Sequence, residues 1–278
     1  MTLAGDVLAW GLPRLRDLPW RRTRDPWAVL VSEVMLQQTQ VARVIPKWHA
    51  FLDEFPTTEA CAAVPLGDVL RHWQGLGYPR RARNLHGAAV TVQQLGEFPS
   101  TLDGLLALPG VGGYTARAVL AFAFESDAAV VDTNIARVYA RVAGRRLTAR
   151  EVQAVADDAL PSGAAWEFNQ CIMDLGAVLC RPSSPACGEC PLRVSCAWHG
   201  HGDDPAVGSA GVSRSQARFE GSDRQARGRL MKALSGASVA VADAPAVMRC
   251  AEERSHRLVA NLVAEGLVRR DGERLLLP

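Results

Sequence analysis

The feature that most constrains this chain is a short segment dense in cysteine, proline and glycine. Its prolines and glycine exclude a regular helix and let the cysteine sulfurs converge. The N-terminus lacks the basic lead-in of a secretory signal, so we expect these thiols in a reducing compartment. There, four close thiols indicate a metal site rather than disulfides. The four are Cys180, Cys187, Cys190 and Cys196.

Four thiolates suit either a zinc ion or an iron–sulfur cluster. Zinc modules usually contain two close cysteine pairs, whereas this segment has one Cys-x2-Cys pair. The spacing therefore favours a cluster and leaves zinc open. The remaining cysteines are isolated and are expected to be small buried hydrophobic residues. They are Cys61, Cys171 and Cys250.

The composition, with 48% hydrophobic and 22% charged residues, is that of a globular protein with a buried core. No apolar run approaches the ~18 residues of a membrane span. We therefore expect a cytoplasmic protein without a membrane partner. The net charge of +2 is weak evidence for a polyanionic partner, although nearly all of the positive charge is arginine, which suits phosphate contacts.

Apolar residues recur at helical spacing before residue 200 and strand alternation does not, which predicts an all-α region. Asp25 followed by Pro26 is typical of a helix start. In the helix that follows, periodicity alone places Glu33 on the solvated face. Further helices are predicted at 46–54, 66–73, 82–95, 100–108, 114–124, 135–142, 151–160 and 166–179.

A glycine-rich turn, Pro109-Gly110-Val111-Gly112-Gly113, separates two of these helices. Such a turn leaves main-chain N–H groups unpaired at the start of the second helix, where they can bind a phosphate. The alternative is a helix corner whose glycines allow close packing. The turn by itself favours neither.

The composition changes after residue 200, where a mixture of His, Gly, Asp, Pro, Ser and Arg predicts a linker over 201–222. The elements predicted beyond it are a helix at 224–234, a strand at 238–241, a helix at 251–265 and a hairpin turning at Asp271-Gly272. This order predicts a small winged-helix-like module over 223–278.

Together these features resemble the helix-hairpin-helix DNA glycosylases of the endonuclease III superfamily, and within them the adenine DNA glycosylase (MutY type) branch. The resemblance runs in order from about residue 15 to residue 200. It rests on the four cysteines and on Leu18-Pro19-Trp20-Arg21, Ser32-Glu33-Val34-Met35-Leu36-Gln37-Gln38-Thr39-Gln40-Val41, Gly75-Leu76-Gly77-Tyr78, Leu108-Pro109-Gly110-Val111-Gly112, Phe168-Asn169-Gln170 and Met173-Asp174-Leu175-Gly176-Ala177.

The resemblance implies a six-helix barrel over 19–128 and a cluster domain formed by 1–18 and 129–200, with the active site in the cleft between them. It also implies one [4Fe–4S] cluster on the four cysteines. The implied reaction is hydrolysis of the N-glycosidic bond of adenine opposite 8-oxoguanine or guanine in double-stranded DNA. We expect the protein to act as a monomer.

Two carboxyl groups fit this reaction, because adenine leaves readily only when protonated and the sugar becomes cationic as the bond breaks. By resemblance Glu33 protonates adenine N7, and burial is expected to raise its pKa. Asp132 stabilises the cation and Asn134 holds that carboxylate, although Asp132 could equally cap a helix. Tyr114 stands where lyase-competent relatives have lysine, so we expect base removal without strand cleavage.

Further contacts are needed because the adenine must leave the duplex stack. The resemblance implies that the extruded base is contacted by Trp20, Arg21, Leu36 and Gln170, and that the wedge filling the gap is formed by Gln37, Gln38 and Tyr78. Gly110 and Gly112 are expected to bind a DNA phosphate. Arg81 and Arg83 either contact phosphate or flank a helix.

Two other functions remain open. A thymine or uracil glycosylase for G·T or G·U mismatches could share this scaffold, although the Glu33 motif argues against it. A non-catalytic iron–sulfur DNA-binding regulator is disfavoured by the intact Glu33 and Asp132. The family's usual Nudix-like domain, which recognises 8-oxoguanine, is larger than the sequence after residue 200 allows, so the preference over guanine stays open. Residues 213–232, with six basic and two acidic side chains, are expected to hold DNA nonspecifically.

Overall fold

The computed structural model describes residues 2–212 and 218–278, which form two compact units. As far as they are described, the stretches of the first unit are Met1–Val29, Ser100–Leu106 and Val111–Ser215. With the same restriction, those of the second unit are Leu30–Pro99, Ala107–Gly110 and Gln216–Pro278. Among the described residues, no helix has the length and apolar character that crossing a membrane requires.

Helices make up most of both units. In chain order they are α1 (Leu3–Gly11), α2 (Pro26–Leu36), α3 (Val41–Glu54), α4 (Thr58–Ala62), α5 (Leu66–His72), α6 (Arg80–Leu95), α7 (Leu102–Leu106), α8 (Gly113–Phe122), α9 (Thr133–Ala143), α10 (Ala149–Ala159), α11 (Ala165–Val178), α12 (Asp223–Gly236), α13 (Ala244–Met248) and α14 (Glu252–Ala264). The strands are β1 (Val239–Ala240), β2 (Arg269–Asp271) and β3 (Arg274–Leu276). The predicted mostly helical fold is confirmed.

The core of the first unit lies where α11 packs against α1, α8 and α9. Tyr139, Phe168 and Ile172 are fully buried there. Gly11 of α1 approaches α11 so closely that a Cβ on it would lie 2.5 Å from the Cys171 sulfur. Cys171 is therefore a packing residue, as its isolation in the sequence predicted.

The second unit is built around α6, which packs against α4 and α5. The Phe51 ring lies edge-on to Phe55 and Trp73, with centroids 5.0 Å and 6.1 Å away. In the C-terminal part the strands form an antiparallel sheet with β3 between β1 and β2. Gly272, with φ of 55°, turns the β2–β3 hairpin. The predicted order of helix, strand, helix and hairpin is present, with the additional short helix α13 before α14.

Several helix bounds differ from the predicted ones. Helix α3 begins at Val41 and holds Pro46 in its interior, whereas proline's preference for a first turn predicts a start at Pro46. Helix α7 is shorter than predicted, because Pro109 disfavours helical backbone at the preceding residue. Helices α1 and α4 have no predicted counterpart, and threonine side chains cap both, at Thr2 and Thr57.

The compact units also divide the chain differently from the predicted domains. Helix α8, predicted in the barrel, belongs to the first unit, and the C-terminal module belongs to the second. The early part of the predicted linker packs inside the first unit, because Ala206 is buried and the Ser209 hydroxyl accepts from the Leu147 N–H at 3.1 Å. Residues 213–217 of that linker lie outside the described residues.

Candidate active site and metal centre

Asp132 ends an extended segment and caps α9. Its Oδ1 accepts hydrogen bonds from the Asn134 and Ile135 N–H groups at 2.8 and 2.7 Å. Its Oδ2 accepts from the Asn134 side-chain amide at 2.9 Å. The helix-cap interpretation is therefore correct, and the same bonds fix the orientation of the carboxylate. Asn134 contacts Asp132 as the resemblance implied, while its role in a reaction stays a prediction.

The surroundings of Asp132 make its carboxylate harder to ionise. The residue keeps some accessible surface, yet protein atoms surround its carboxyl closely. This burial raises the pKa of Asp132, although the bonds from Ile135 and Asn134 and the charge of Arg137 act in the opposite direction. A carboxylate that is held and partly desolvated interacts strongly with a nearby positive charge.

Arg137 connects Asn134, which binds the Asp132 carboxylate, to the cysteine segment. Its Nη2 donates to the Asn134 side-chain oxygen at 2.8 Å and to the Gly176 carbonyl at 2.7 Å. Its Nε donates to the Cys180 carbonyl, also at 2.7 Å. A Cβ on Gly176 would come within 2.8 Å of the Asn134 Cβ, so this glycine permits the close approach of α9 and α11.

The four clustered cysteines line one cavity together with Arg141, whose guanidinium is buried. The Arg141 Nη1 lies 3.3 Å from the Cys180 sulfur, and its guanidinium carbon is 4.5 Å from the Trp198 ring centre. Asp204 accepts from the same guanidinium at 2.6 Å. All four cysteines are free thiols. Four sulfurs beside a fixed positive charge suit a thiolate-bound group.

No three His, Cys, Asp or Glu side chains among residues 2–212 and 218–278 are arranged to hold a single metal ion. The potential donors that line this cavity are nevertheless the four cysteine sulfurs and the imidazole of His199. Such donors suit zinc and iron–sulfur clusters and do not suit magnesium or calcium.

Arg21 and Gln170, both predicted to contact a base, lie buried and bonded to each other. The Arg21 Nε donates to Gln170 Oε1 at 2.6 Å. Two further Arg21 nitrogens donate to the Asp174 carboxylate at 2.8 Å each. Burial opposes ionisation of Asp174, but hydrogen bonds from Arg21 and Arg16 still lower its pKa. Trp20 is buried in the same short turn as Arg21.

The glycine-rich turn between α7 and α8 requires its first glycine. Gly110 has φ of 77°, and a Cβ there would lie 2.6 Å from the Asn84 Cβ. Gly112 caps α8 without a side-chain hydrogen bond, and both glycines are exposed. The N–H groups at this helix start are thus accessible to an anion. Tyr114 is the second residue of α8 and is half-buried.

Glu33 is 4% exposed, so the solvated face that periodicity predicted for it is wrong. The helix is buried on all sides from Trp27 to Met35, and such a helix has no solvated face to predict. A buried carboxyl is costly and is common at functional sites. Leu36 and Gln37 are half-buried at the end of α2, and Gln38 is exposed with a left-handed φ of 56°.

Arg81 is the residue whose importance the sequence does not reveal. It is 9% exposed and binds main-chain carbonyls, so it is not a phosphate contact in this structure. Burial lowers the pKa of Arg81 to about 10. Its two terminal nitrogens donate to the carbonyls of Val34, Met35, Gln37, Leu76 and Gly77 and to the Thr39 hydroxyl.

These acceptors lie in two segments, the end of α2 and the loop before α6. Helix ends leave carbonyls without intrahelical partners, and Arg81 satisfies several of them at once. The two segments carry the three predicted wedge residues, Gln37, Gln38 and Tyr78. Arg83, for which the sequence leaves open both a phosphate contact and a position flanking a helix, donates to the Glu265 carbonyl.

The two predicted catalytic carboxyl groups lie in different units. Glu33 belongs to the second unit and Asp132 to the first.

Comparison with known proteins identifies the family to which the chain is similar. Residues 31–161 match the HhH-GPD superfamily of base excision DNA repair proteins. The adenine DNA glycosylase of Mycolicibacterium smegmatis is 40% identical over 272 residues, which cover 95% of this chain and 91% of that protein.

Two solved structures are similar in fold. A thermostable thymine-DNA glycosylase has a TM-score of 0.68 and 30% identity, covering 71% of this chain and 94% of that chain. An endonuclease III in a non-covalent complex with DNA has a TM-score of 0.62 and 28% identity, covering 70% of this chain and 92% of that chain.

Replacing Arg81 with methionine keeps an unbranched apolar stem and removes every donor. We expect the free energy of unfolding to fall by about 2–4 kcal/mol, because buried carbonyls lose a charged donor. Amide exchange should accelerate at residues 34–39 and 75–78. Arg71→Met, which removes an exposed arginine paired with Asp68, should cost less than about 1 kcal/mol. Equal losses of free energy of unfolding in the two variants would contradict the conclusion that Arg81 holds these two segments together.

Proposed function

Because the chain belongs to the adenine DNA glycosylase family of base excision DNA repair proteins, we propose that it removes adenine opposite 8-oxoguanine or guanine. Hydrolysis breaks the bond between sugar C1′ and adenine N9 and consumes one water, leaving free adenine and an abasic site. Its partner is double-stranded DNA that carries the mispair. It acts as a monomer in the cytoplasm.

The observation that carries this proposal is the Asp132 carboxylate, held by the start of α9 and by Asn134. Positive charge develops on the sugar as the bond to adenine breaks. A carboxylate already fixed in place stabilises that charge without having to reorganise. Asp132 then attacks C1′ to give a short-lived covalent intermediate, which water hydrolyses. Asn134 holds both the carboxylate and the water.

Glu33 protonates adenine N7, so that adenine leaves as a neutral base. Its burial in α2 supports this role, because a carboxyl shielded from water is favoured in its protonated form and can deliver that proton. Tyr114 cannot form a Schiff base with the abasic sugar. The reaction therefore stops at the abasic site, without strand cleavage.

The extruded adenine contacts Trp20, Leu36 and Gln170. Arg21 can only donate hydrogen bonds, and it binds Gln170 through the amide oxygen. The amide oxygen of Gln170 is therefore occupied, and its amide nitrogen is the group that donates to a ring nitrogen of the base. The indole of Trp20 and the Leu36 side chain supply the apolar surface that a base needs outside the stack.

The wedge residues and the glycine-rich turn between α7 and α8 hold the DNA around the extruded base. Gln37, Gln38 and Tyr78 fill the gap and contact the opposite purine, and Arg81 supports this role by binding both segments that carry them. The accessible N–H groups at Gly110 and Gly112 bind a phosphate of the DNA backbone. Both contacts stabilise the distorted duplex.

One [4Fe–4S] cluster binds to Cys180, Cys187, Cys190 and Cys196. The four sulfurs that line one cavity and the adjacent Arg141 charge support this assignment, as does the family's single Cys-x2-Cys spacing. The cluster would supply a rigid crosslink between parts of an otherwise irregular segment. Arg141 binds carbonyls of the same segment and keeps it folded against α9.

Asp132→Asn should lower single-turnover adenine release from an A·8-oxoguanine duplex at least about 100-fold. Because folding raises the Asp132 pKa, the carboxyl holds its proton more tightly in the folded state, so its contribution to stability is present at low pH and lost as pH rises through the raised value. Wild-type activity should fall on acidification because the Asp132 carboxylate becomes protonated, and this should occur at a pH above 3.8, the ordinary pKa of aspartate. At neutral pH the free energy of unfolding of Asp132→Asn should lie at most about 1 kcal/mol below that of the wild type.

The control for this variant is Asp158→Asn, an exposed aspartate of α10, which should leave adenine release unchanged. Alkali treatment should be needed to break the strand at the product, since no lyase step is expected. A G·T duplex tests the thymine-specific alternative in the same assay. Full activity of Asp132→Asn, or release of thymine in preference to adenine, would refute the proposal.

Glu33→Gln should lower adenine release by a factor of about 10²–10⁴, the usual contribution of a general acid. Wild-type rates should decline at alkaline pH as Glu33 loses its proton, and the residual rate of the variant should lack that decline. Glu54→Gln, an exposed glutamate of α3, serves as the matched control. An alkaline decline that persists in Glu33→Gln would assign the proton to another group.

Purified protein should contain iron and inorganic sulfide in equal amounts and absorb visible light, because both come from a bound cluster. Cys190→Ser should lower the iron content and the visible absorption together. Cys250→Ser, which changes an isolated cysteine of the C-terminal module, should change neither. Stoichiometric zinc with no iron would show that the four thiolates hold a zinc ion instead.

A further inference from the structure

The C-terminal module, residues 223–278, is bonded to the helical part of the second unit. Glu265 accepts hydrogen bonds from Arg227 of the module and from Arg80 of α6, at 2.8 Å each. These two arginines lower the pKa of Glu265 to about 2, so the carboxylate stays charged at neutral pH. The Gly67 N–H of α5 donates to the Pro278 carbonyl at 2.8 Å. The module thus has a fixed place against α5 and α6.

One contact of the module reaches a predicted wedge residue. Arg224, the second residue of α12, donates from Nη1 to the Tyr78 hydroxyl oxygen at 2.7 Å. The same guanidinium carbon lies 5.8 Å from the centre of the Phe219 ring, a cation–π distance. Because a guanidinium is planar and permanently charged, this hydrogen bond fixes direction as well as distance.

Tyr78 is held at its main chain and ring as well as at its hydroxyl. Its φ of 48° is a left-handed conformation that aromatic residues rarely adopt and that persists only where the surroundings hold it. The Arg81 guanidinium carbon lies 5.5 Å from the ring centre. Arg81 also binds the Gly77 carbonyl next to it. Arg224 adds the contact that comes from the C-terminal module.

We propose that Arg224 is a positioning residue that holds the Tyr78 ring in the orientation in which it enters the mispaired duplex. This rests on the wedge role proposed above for Tyr78. A side chain ordered before binding loses less conformational freedom when it inserts between bases. Arg224 therefore strengthens binding of the mispair and has little effect on the bond-breaking step, which the carboxylates perform.

The test compares Arg224→Gln, Tyr78→Phe and the double variant in the full chain. Tyr78→Phe keeps the ring and removes the oxygen that Arg224 contacts. Each single variant should weaken binding of a duplex with 2′-fluoroadenosine opposite 8-oxoguanine by about 3- to 10-fold. The single-turnover rate at saturating enzyme should stay within about twofold. The double variant should bind no more weakly than either single one, because both changes remove the same contact.

Arg218→Gln is the matched control, since it removes one positive charge just before the module at a side chain that is 85% exposed and paired with Glu220. Its affinity should stay within about twofold of wild type. Arg224→Lys, which keeps the positive charge and a hydrogen-bond donor group but loses the planar guanidinium, should recover part of the lost affinity. Thermal unfolding should show that each variant is folded during the binding measurement.

Two outcomes would overturn the inference. Unchanged binding by Arg224→Gln would show that the contact does not order the wedge. Weakened binding that persists undiminished in the Tyr78→Phe background would show that Arg224 contacts DNA directly. A wild-type protein that releases no adenine would instead contradict the proposed function, so the two failures are distinguishable.

Discussion

Buried guanidinium groups that donate to main-chain carbonyls hold together the irregular segments on which this structure depends. Arg81 joins the end of α2 to the loop before α6. Arg137 joins α9 to the end of α11, and Arg141 joins α9 to the cysteine segment. Loops leave carbonyls that no helix satisfies, and a guanidinium offers several donors in one plane. One buried arginine can therefore replace a regular element in fixing a loop.

The same arrangement prepares the proposed chemistry. Burying a charge is costly, so an arginine remains buried only where its surroundings supply many acceptors in fixed positions. Arg137 meets that condition through Asn134, which in turn holds Asp132. A carboxylate supported in this way needs little rearrangement when positive charge appears beside it. The Cys180 carbonyl shares the same guanidinium, so the cysteine segment also supports the proposed catalytic carboxylate.

Local signals in the sequence predict much of this fold. The cap before Pro26, the glycine-rich turn and the Asp271-Gly272 hairpin each predict an element that the structure contains. Periodicity fails at Glu33 because α2 is buried on all sides, and only the motif indicates its importance. The partners of Arg81 are carbonyls up to 47 positions away, and carbonyls are common to every residue type, so no sequence pattern marks them. The packing of residues 204–210 is missed because its polar composition is typical of a linker.

The basic side chains around the start of the C-terminal module also serve the fold. Residues 213–232 predict nonspecific binding through their excess of arginine, but the described arginines there contact the protein itself. Arg227 binds Glu265, and Arg229 donates to the Met248 carbonyl at 3.1 Å. Arg224 binds the Tyr78 hydroxyl. The donors of these arginines already have acceptors within the protein. Much of the positive charge of residues 218–232 is therefore engaged in holding the fold.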